Sequence, residues 1–523
     1  MRVRYHVFSV LIICALAVLF SACKEVSESA SGLPETSAAA SVLTEITPAS
    51  ESESDAGITE SSASEEAVTE IPESASEADT GSQTSGTAPD EETQQEIPET
   101  ETTPKKTETQ TESTSAEAAT AKTETTPLTL QYESPPETTA SAAAPSASYG
   151  QNSYKTVNFK EQKGFWITYL EYMTILKNKS ESSFKKSVGK YFDNIADLGF
   201  NTVYVQVRAF GDAYYDSGLF PSGEQYSGTI GAGSSFDALQ IMIDCAHARG
   251  LSIHAWVNPM RLMTTSQIQG ISDSYQIKKW YDSSKYNGTY IVKSGDRWYL
   301  NPAYDEVTDL IGAGIKEIVS NYDVDGLQID DYFYPTTAAS FDSAAYSAYG
   351  EGMSLSSWRI SNVNRMVKKL YKAAHSANSS IVFGISPQGS VENDYNEVYA
   401  DVKTWCSSSG YCDYILPQVY FGFENAALPY EKVISQWSGM VTNSGVKLVI
   451  GLAAYKIGAT DNYAGTSGKN EWLNNDDIIS RQMKQAKALT NYGGVALYRY
   501  DSVFNPGSDV AAQVSKEINN IEK

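Results

Sequence analysis

The chain has 523 residues, too many for one small core, and a formal net charge of −25. Most of that charge lies in residues 24–150, which hold 26 acidic residues against four lysines, whereas residues 151–523 carry a net charge of only −5. Neither part has the basic character that nucleic-acid binding requires, so we exclude that class of partner.

The first 22 residues have the pattern of a secretory signal. Arg2 and Arg4 precede the apolar run "VFSVLIICALAVLF", and the small residues Ser21-Ala22 lead directly to Cys23. The apolar run is too short for a comfortable membrane-spanning helix. The cysteine resembles that of a bacterial lipoprotein box, which implies a lipid-anchored protein on the outer side of the cell membrane, in the envelope. A plain signal peptide with a chance cysteine is the alternative.

Residues 23–155 have a composition that predicts a spacer. They consist mainly of Ser, Thr, Glu, Ala and Pro, and between residues 24 and 150 the only aromatic residues are Tyr132 and Tyr149. Such a segment cannot bury enough apolar surface to order itself. We therefore expect a disordered, acidic linker that holds a folded domain, residues 156–520, away from the membrane.

From residue 164 onward, β-rich runs alternate eight times with amphipathic helical stretches, several of which open on Ser or Asp. This alternation predicts a parallel sheet, and eight units over this length favour a (β/α)8 TIM barrel. Residues 261–304 are predicted to form an elaborated loop after the third strand. The runs are "GFWITYL", "TVYVQVR", "LSIHAWV", "VDGLQID", "IVFGIS", "CDYILPQVY", "VKLVIGLAAY" and "GGVALYRY".

Polar and aromatic residues cluster at the carboxyl ends of these runs, where the active site of such a barrel lies. Strand alternation predicts that Gln206 and Arg208 face the barrel axis and that Asp330 points into the mouth. The same parity sends Asp331 outward, unless the strand bulges there. The residues selected at the strand ends are Gln206, Arg208, Asp212, His254, Trp256, Asn258, Arg261, Gln328, Asp330, Asp331, Tyr332, Gln418, Tyr420, Tyr455, Lys456 and Tyr498.

This mixture of residues is typical of carbohydrate sites. Sugars present apolar faces to aromatic rings and hydroxyl groups to amides, carboxylates and arginine. A glycan polymer is therefore the predicted substrate, and we expect a monomer that needs neither a metal ion nor a cofactor. The aromatic residues predicted at the mouth are Trp166, Trp256, Tyr332, Tyr334, Tyr420, Tyr455, Tyr498 and Tyr500.

Six segments in order resemble the glycosyl-hydrolase-like family 10 domain over about residues 160–510. They are "VYVQVRAFGDAYYDSGLFP", "HAWVNPMR", "DGLQIDDYFYP", "GISP", "PQVYF" and "GLAAYKIG". The resemblance implies a TIM barrel related to the amylase-type hydrolases, some members of which cut peptidoglycan strands stripped of their peptides. It also implies that Asp330 stands where the amylase group has its nucleophile, and that Gln328 replaces an arginine.

Glycoside hydrolysis usually needs two carboxylates. Asp330 is the first, and the alternative for it is a strand-capping residue that anchors a loop. Asp331 is either catalytic or such an anchor. Glu392, Asp212 and Glu424 are the other candidates for the second carboxylate, and each could equally be an exposed loop charge.

Four cationic or titratable residues have alternatives of their own. Arg208 and Arg261 are predicted to bind sugar hydroxyls or a substrate carboxylate, or else to pair with an aspartate. His254 is either a ligand for a sugar hydroxyl or a satisfied histidine in the lumen. Lys456 either reaches the substrate or is a solvated loop charge.

Two wider questions stay open at this point. Cys406 and Cys412 either form a small disulfide or remain free thiols. The barrel could also be a non-catalytic glycan-binding lipoprotein, because fold does not imply activity, or a hydrolase of a secreted polysaccharide.

Overall fold

The predicted barrel is the core of the computed structural model, which describes residues 149–521. In chain order the strands are β1 (Gln162–Ile167), β2 (Thr202–Arg208), β3 (Ser252–Val257), β4 (Arg261–Thr264), β5 (Ile291–Ser294), β6 (Arg297–Leu300), β7 (Gly326–Ile329), β8 (Val382–Ile385), β9 (Tyr414–Ile415), β10 (Lys447–Ala453) and β11 (Tyr492–Tyr498). Eight of them, all except β4–β6, close into one parallel barrel in which β11 pairs with β1. The (β/α)8 fold class is confirmed. The predicted signal, Cys23 and almost all of the spacer lie outside the described residues.

Helices surround the barrel and occupy its loops, and several begin at the capping residues that the sequence offers. Ser180, Asp237 and Ser354 each accept a hydrogen bond from a backbone amide in the first turn of their helix. The helices are α1 (Tyr169–Ile175), α2 (Glu181–Asp197), α3 (Ala238–His247), α4 (Thr265–Gly270), α5 (Gln276–Asp282), α6 (Asp305–Asn321), α7 (Ser343–Tyr349), α8 (Leu355–Ala377), α9 (Val391–Asn396), α10 (Val402–Ser407), α11 (Tyr430–Met440), α12 (Gly465–Gly468), α13 (Glu471–Asn474), α14 (Ile478–Lys487), α15 (Tyr500–Phe504) and α16 (Ala511–Asn519).

The stretch after β3 is more regular than the predicted loop. It contains a small antiparallel sheet in the order β4–β6–β5, together with α4 and α5. Each of these strands has only four residues. Strand β4 opens on Arg261, so this insertion supplies one of the predicted site residues.

The lumen of the barrel is filled by side chains. The rings of Tyr204, His254 and Tyr414 meet there, and His254 lies 5.2 Å and 5.5 Å from its two neighbours between ring centroids. Gly384 makes room for Tyr414, since a Cβ at this glycine would lie 1.9 Å from the tyrosine ring. Burial lowers the pKa of His254 to about 4, so this histidine is neutral near pH 7.

A segment that the sequence assigned to the spacer lies against the barrel. Tyr149 donates to Glu317 at 2.8 Å, and Tyr154 donates to Asp325 at 3.0 Å. Asp325 immediately precedes β7 and also accepts from the amide of Val157 at 2.6 Å. Residues 149–157 therefore belong structurally to the domain, which extends at least seven residues upstream of the predicted start at residue 156.

Candidate active site

Asp330 lies at the mouth, on the lumen face, as strand alternation predicts. It follows β7 directly and is only 2% exposed. Trp256 Nε1 donates to its Oδ2 at 2.9 Å, and the backbone amide of Tyr332 donates to its Oδ1 at 3.2 Å. Two donors from different parts of the chain therefore hold this carboxylate in one orientation.

Asp331 is also at the mouth, so the prediction that it points outward is wrong. Its Oδ1 accepts from Gln418 Nε2 at 3.1 Å, and the same amide group donates to the carbonyl of Ser386 at 3.2 Å. Gln418 follows β9, and Ser386 follows β8. Strand β7 ends at Ile329, so the alternation of a regular strand does not extend as far as Asp331.

The two carboxylates influence each other's protonation. Burial raises the pKa of both, and the charge of Asp331 raises that of Asp330 further. The hydrogen bonds from Trp256 and Gln418 act in the opposite direction on Asp330 and Asp331 respectively, as does the positive charge of Arg261 on both. Such a pair titrates as a unit, in which one carboxylate ionises readily and the other retains its proton to higher pH.

Arg261 is held rigidly beside this pair. Its guanidinium carbon lies 4.6 Å from the ring centroid of Phe210 and 4.3 Å from that of Tyr332. Stacking between two rings fixes the plane of the guanidinium and keeps its charge close to the aspartates. This arrangement suits the predicted role of Arg261 in binding a polar or anionic substrate group.

Amide side chains line the mouth next to Asp330. Gln206 accepts from the amide of Tyr169 at 3.0 Å and donates to Asn258 Oδ1 at 2.9 Å. Trp166 Nε1 donates to Gln328 Oε1 at 2.8 Å. The Nδ2 of Asn258 has no hydrogen-bond partner within residues 149–521, although this side chain is only 1% exposed. It is therefore a donor ready for a substrate oxygen.

The predicted tyrosines form one wall of the mouth. Tyr420, Tyr455 and Tyr498 lie 5.7–6.0 Å from one another between ring centroids, and Tyr498 lies 5.8 Å from Trp166. They follow or end β9, β10 and β11, which are neighbours in the barrel. The structure thus brings together an aromatic surface, amide donors, an arginine and two carboxylates.

Comparison with known proteins places the chain in a family. Residues 161–466 match the family described as Glycosyl hydrolase-like 10. The chain belongs to this family. The Glycosyl hydrolase DigH of Escherichia coli K12 is 32% identical over 340 residues, or 61% of this chain and 76% of DigH. The Glycosyl hydrolase YngK of Bacillus subtilis 168 is 34% identical over 337 residues, or 60% of this chain and 64% of YngK.

Among solved structures, the glycoside hydrolase domain of PgaB from Bordetella bronchiseptica has a TM-score of 0.44 and 14% identity, covering 68% of this chain and 99% of that domain. The family match and the relatives identify the chain as a glycoside hydrolase. The resemblance seen in the sequence is confirmed.

Arg208 of this glycoside hydrolase does not reach the mouth. Its guanidinium carbon lies 4.3 Å from the centroid of the Phe220 ring, and a Cβ on Gly314 of α6 would lie 2.2 Å from its Nη1. The pairing of β2 with β3 shifts register between Gln206 and Arg208. This irregularity turns Arg208 towards the surrounding helices, and the prediction that it faces the axis is wrong.

Asp212 stabilises the loop that follows β2. Its Oδ1 accepts from the backbone amides of Ala209 and Phe210, both at 2.9 Å, and the residue is 1% exposed. Asp212 is therefore neither an exposed charge nor an acid with free oxygens facing Asp330.

Several other predicted residues also have structural partners. Lys456 pairs with Asp461 at 2.7 Å and donates to the carbonyl of Tyr420 at 2.8 Å, so it supports the tyrosine wall from behind. His254 bonds Tyr414 at 2.9 Å within the filled lumen, which favours the structural alternative for this residue.

Two aromatic residues predicted at the mouth lie elsewhere. Tyr500 stacks on Tyr191 of α2, with 3.7 Å between ring centroids. Tyr334 is buried, with its ring 5.0 Å from the guanidinium carbon of Arg359 in α8. The prediction that these two line the mouth is wrong.

A buried carboxylate after β8 was missed. Glu392 is exposed on α9, and Glu424 is exposed as well, whereas Asp394 is fully buried and accepts from the amide of Gln388 at 3.0 Å. Burial raises the pKa of Asp394 well above its usual range. Glu392 and Asp394 are two residues apart on a helix, so their side chains point about 200° apart around its axis. This helical period is the sequence signal that could have distinguished the buried Asp394 from the exposed Glu392.

No group of three or more His, Cys, Asp and Glu side chains in the described part of the chain is arranged to hold a metal ion. Cys406 and Cys412 are both buried free thiols, which resolves the alternatives left open by the sequence.

Proposed function

We propose that this glycoside hydrolase cuts cell-wall glycan strands of the peptidoglycan type after their peptides have been removed. The observation that carries the proposal is the pair Asp330 and Asp331, set between an aromatic wall and a fixed arginine. The carboxylate of the pair that retains a proton can act as the acid that a glycosidic leaving group needs, beside one that ionises. Tyrosine rings suit the apolar faces of successive sugars.

The charge of Arg261 supports the choice of a strand without peptides. Removal of the peptide from a muramic acid residue leaves a free lactyl carboxylate. A guanidinium held between Phe210 and Tyr332 provides a planar cation for that group. A strand that still carries peptides lacks this negative charge and has bulky branches to fit beside the insertion formed by residues 261–300.

The cellular location is part of the same proposal. An export signal followed by Cys23 would give a lipid-anchored enzyme, and the acidic spacer would let its barrel reach the wall. No helix within residues 149–521 combines the length and apolar character needed to cross a bilayer. A Cys23→Ala variant is expected to lose incorporation of labelled palmitate and to leave the membrane fraction. Unchanged fractionation and labelling would contradict lipid anchoring.

The substrate is tested by release of reducing ends from purified glycan strands. We expect release from peptide-free strands and little from strands that retain their peptides, with Asp330→Asn as the inactive control. Binding without release would instead indicate the non-catalytic glycan-binding alternative. Release only from a secreted polysaccharide would replace the proposed substrate.

A further inference from the structure

The carboxylate pair has an unusual feature for a glycosidase, since its two members are adjacent in sequence. Their Cα atoms are about 3.8 Å apart, as in any trans peptide. Both side chains therefore approach the substrate from the end of one strand, β7. Retaining and inverting enzymes that use two carboxylates hold them on opposite sides of the scissile bond. An adjacent pair does not by itself supply a group on the far side.

The other carboxylates at this end of the barrel are exposed, hold the fold or lie beside the pair. Glu392 and Glu424 are exposed. The buried carboxylates in the loops after β1, β2 and β10 accept hydrogen bonds from backbone amides or pair with a cation: Glu171, Asp212, Asp461 and Glu471. Asp394, after β8, accepts from the amide of Gln388 through Oδ1, whereas its Oδ2 has no hydrogen-bond partner within residues 149–521. Strand β8 is the neighbour of β7 and the charge of Asp331 raises the pKa of Asp394, so Asp394 lies beside the pair rather than across from it. None of these carboxylates lies free on the far side of the mouth from the pair, which leaves the substrate as the source of the nucleophile for a retaining reaction.

We propose that the substrate supplies this nucleophile, and that the enzyme acts on sugars with a 2-acetamido group by substrate-assisted hydrolysis. This inference rests on the proposed function and narrows its chemistry. The acetamido oxygen attacks C1 while Asp331 gives its proton to the leaving glycosidic oxygen, so the C1–O bond breaks and a cyclic oxazolinium ion forms. Asp331 then takes a proton from water, which attacks C1 and reopens the ring.

Asp330 is the residue that positions the acetamido group. Its carboxylate lies deeper than that of Asp331 and accepts the acetamido N–H, which directs the carbonyl oxygen towards C1. Its negative charge also stabilises the positive oxazolinium. Without substrate, burial and the charge of Asp331 raise the pKa of Asp330. The hydrogen bond from the acetamido N–H acts in the opposite direction and favours the ionised form of Asp330, so in the complex the proton of the pair lies on Asp331, the more exposed member, where the leaving sugar departs.

The surroundings of Asp330 suit an acetyl group. Trp256, which donates to Asp330, belongs to an apolar cluster with Trp166, and Tyr498 packs against that cluster. These rings offer an apolar surface to the acetyl methyl group beside a carboxylate for the amide N–H. A sugar with a hydroxyl or a free amine at C2 has no group for that surface.

The first test varies the acyl group on one substrate. Peptide-free strands are de-N-acetylated and then re-acylated with acetyl or trifluoroacetyl groups. Because fluorine withdraws electrons from the attacking oxygen, we expect the trifluoroacetyl strands to be cleaved at least about 100-fold more slowly. A 1,2-thiazoline of N-acetylglucosamine, which mimics the cyclic intermediate, should inhibit competitively.

The outcomes separate this inference from the proposed function. Equal cleavage of both acylated strands, without inhibition by the thiazoline, would overturn the inference and leave the proposed substrate intact. Calorimetric binding of the thiazoline without cleavage of any wall strand would overturn the substrate and support the mechanism on another 2-acetamido glycan. Absence of both thiazoline binding and strand cleavage would overturn the inference and the proposed substrate together.

The second test separates the two aspartates with an activated substrate. A dinitrophenyl glycoside of an N-acetylated oligosaccharide needs no acid to expel its leaving group. Asp331→Asn should lose at least about 100-fold on strands and recover most of that loss on the aryl glycoside, whereas Asp330→Asn should be impaired on both. The reverse pattern, in variants whose melting temperatures match wild type, would overturn the assignment of roles.

Discussion

Replacing Trp256 by phenylalanine removes one donor from Asp330 and leaves an aromatic ring in place. Burial raises the pKa of Asp330, and the indole N–H at 2.9 Å opposes that effect. A hydrogen bond to a charged group is worth about 1.5–3 kcal/mol. At 1.36 kcal/mol for each pKa unit, we expect the acidic limb of the kcat/KM–pH profile to move up by about one to two units. The profile is measured on peptide-free strands.

Trp166→Phe is the matched control. It removes the same N–H and leaves the same ring, but its acceptor is the neutral Oε1 of Gln328 at 2.8 Å. A bond to a neutral group selects no protonation state, so the acidic limb should stay in place, while both variants lose comparable volume and thermal stability. An unmoved limb in Trp256→Phe, or an equal shift in the two variants, would refute the reasoning.

Tyr154→Phe removes a donor from the buried Asp325 and should lower the free energy of unfolding by about 1–3 kcal/mol, measured by urea denaturation. An unchanged midpoint would show that this contact contributes nothing. Burial raises the pKa of Cys406 to about 12 and that of Cys412 well above its usual range, so neither thiol should react with a thiol reagent at pH 8 until the protein unfolds. Rapid labelling of Cys406 or Cys412 in the native protein would contradict this. Burial also raises the pKa of Asp394, so its contribution to stability is present near pH 4 and falls as pH rises through the folded-state pKa. Asp394→Asn should therefore melt at a higher temperature than wild type at pH 8 and at a similar one near pH 4, and an equal difference at both would contradict the assignment.

The barrel was predictable because its strands are dense in β-branched and aromatic residues and alternate with capped helices. "TVYVQVR" coincides with β2 at both ends. The run "CDYILPQVY", in contrast, shrinks to two strand residues, Tyr414–Ile415, because Pro417 has no N–H for the ladder. The insertion after β3 was predicted only as a loop, since its four-residue strands are too short to show a period.

The errors at the site occur where regular structure stops. Alternation places Asp330 correctly because β7 is regular up to the preceding residue. It fails for Arg208, where the pairing of β2 shifts register, and for Asp331, which lies two residues beyond the end of β7. The burial of Asp394 depends on which side of a short helix packs inward, and that is decided by distant parts of the chain.

Because Asp330 and Asp331 are adjacent in sequence, other parts of the site can change without altering the spacing of the two carboxylates. Strand β7 is paired on both sides, with β3 and β8, so its carboxyl end is held firmly. The spacing of Asp330 and Asp331 is then set by covalent geometry rather than by the meeting of two loops. Different donors, Trp256 for one and Gln418 for the other, give the two carboxylates unequal surroundings. Changes in the insertion of residues 261–300 are therefore expected to alter which glycan binds while leaving the proposed acid–base pair in place.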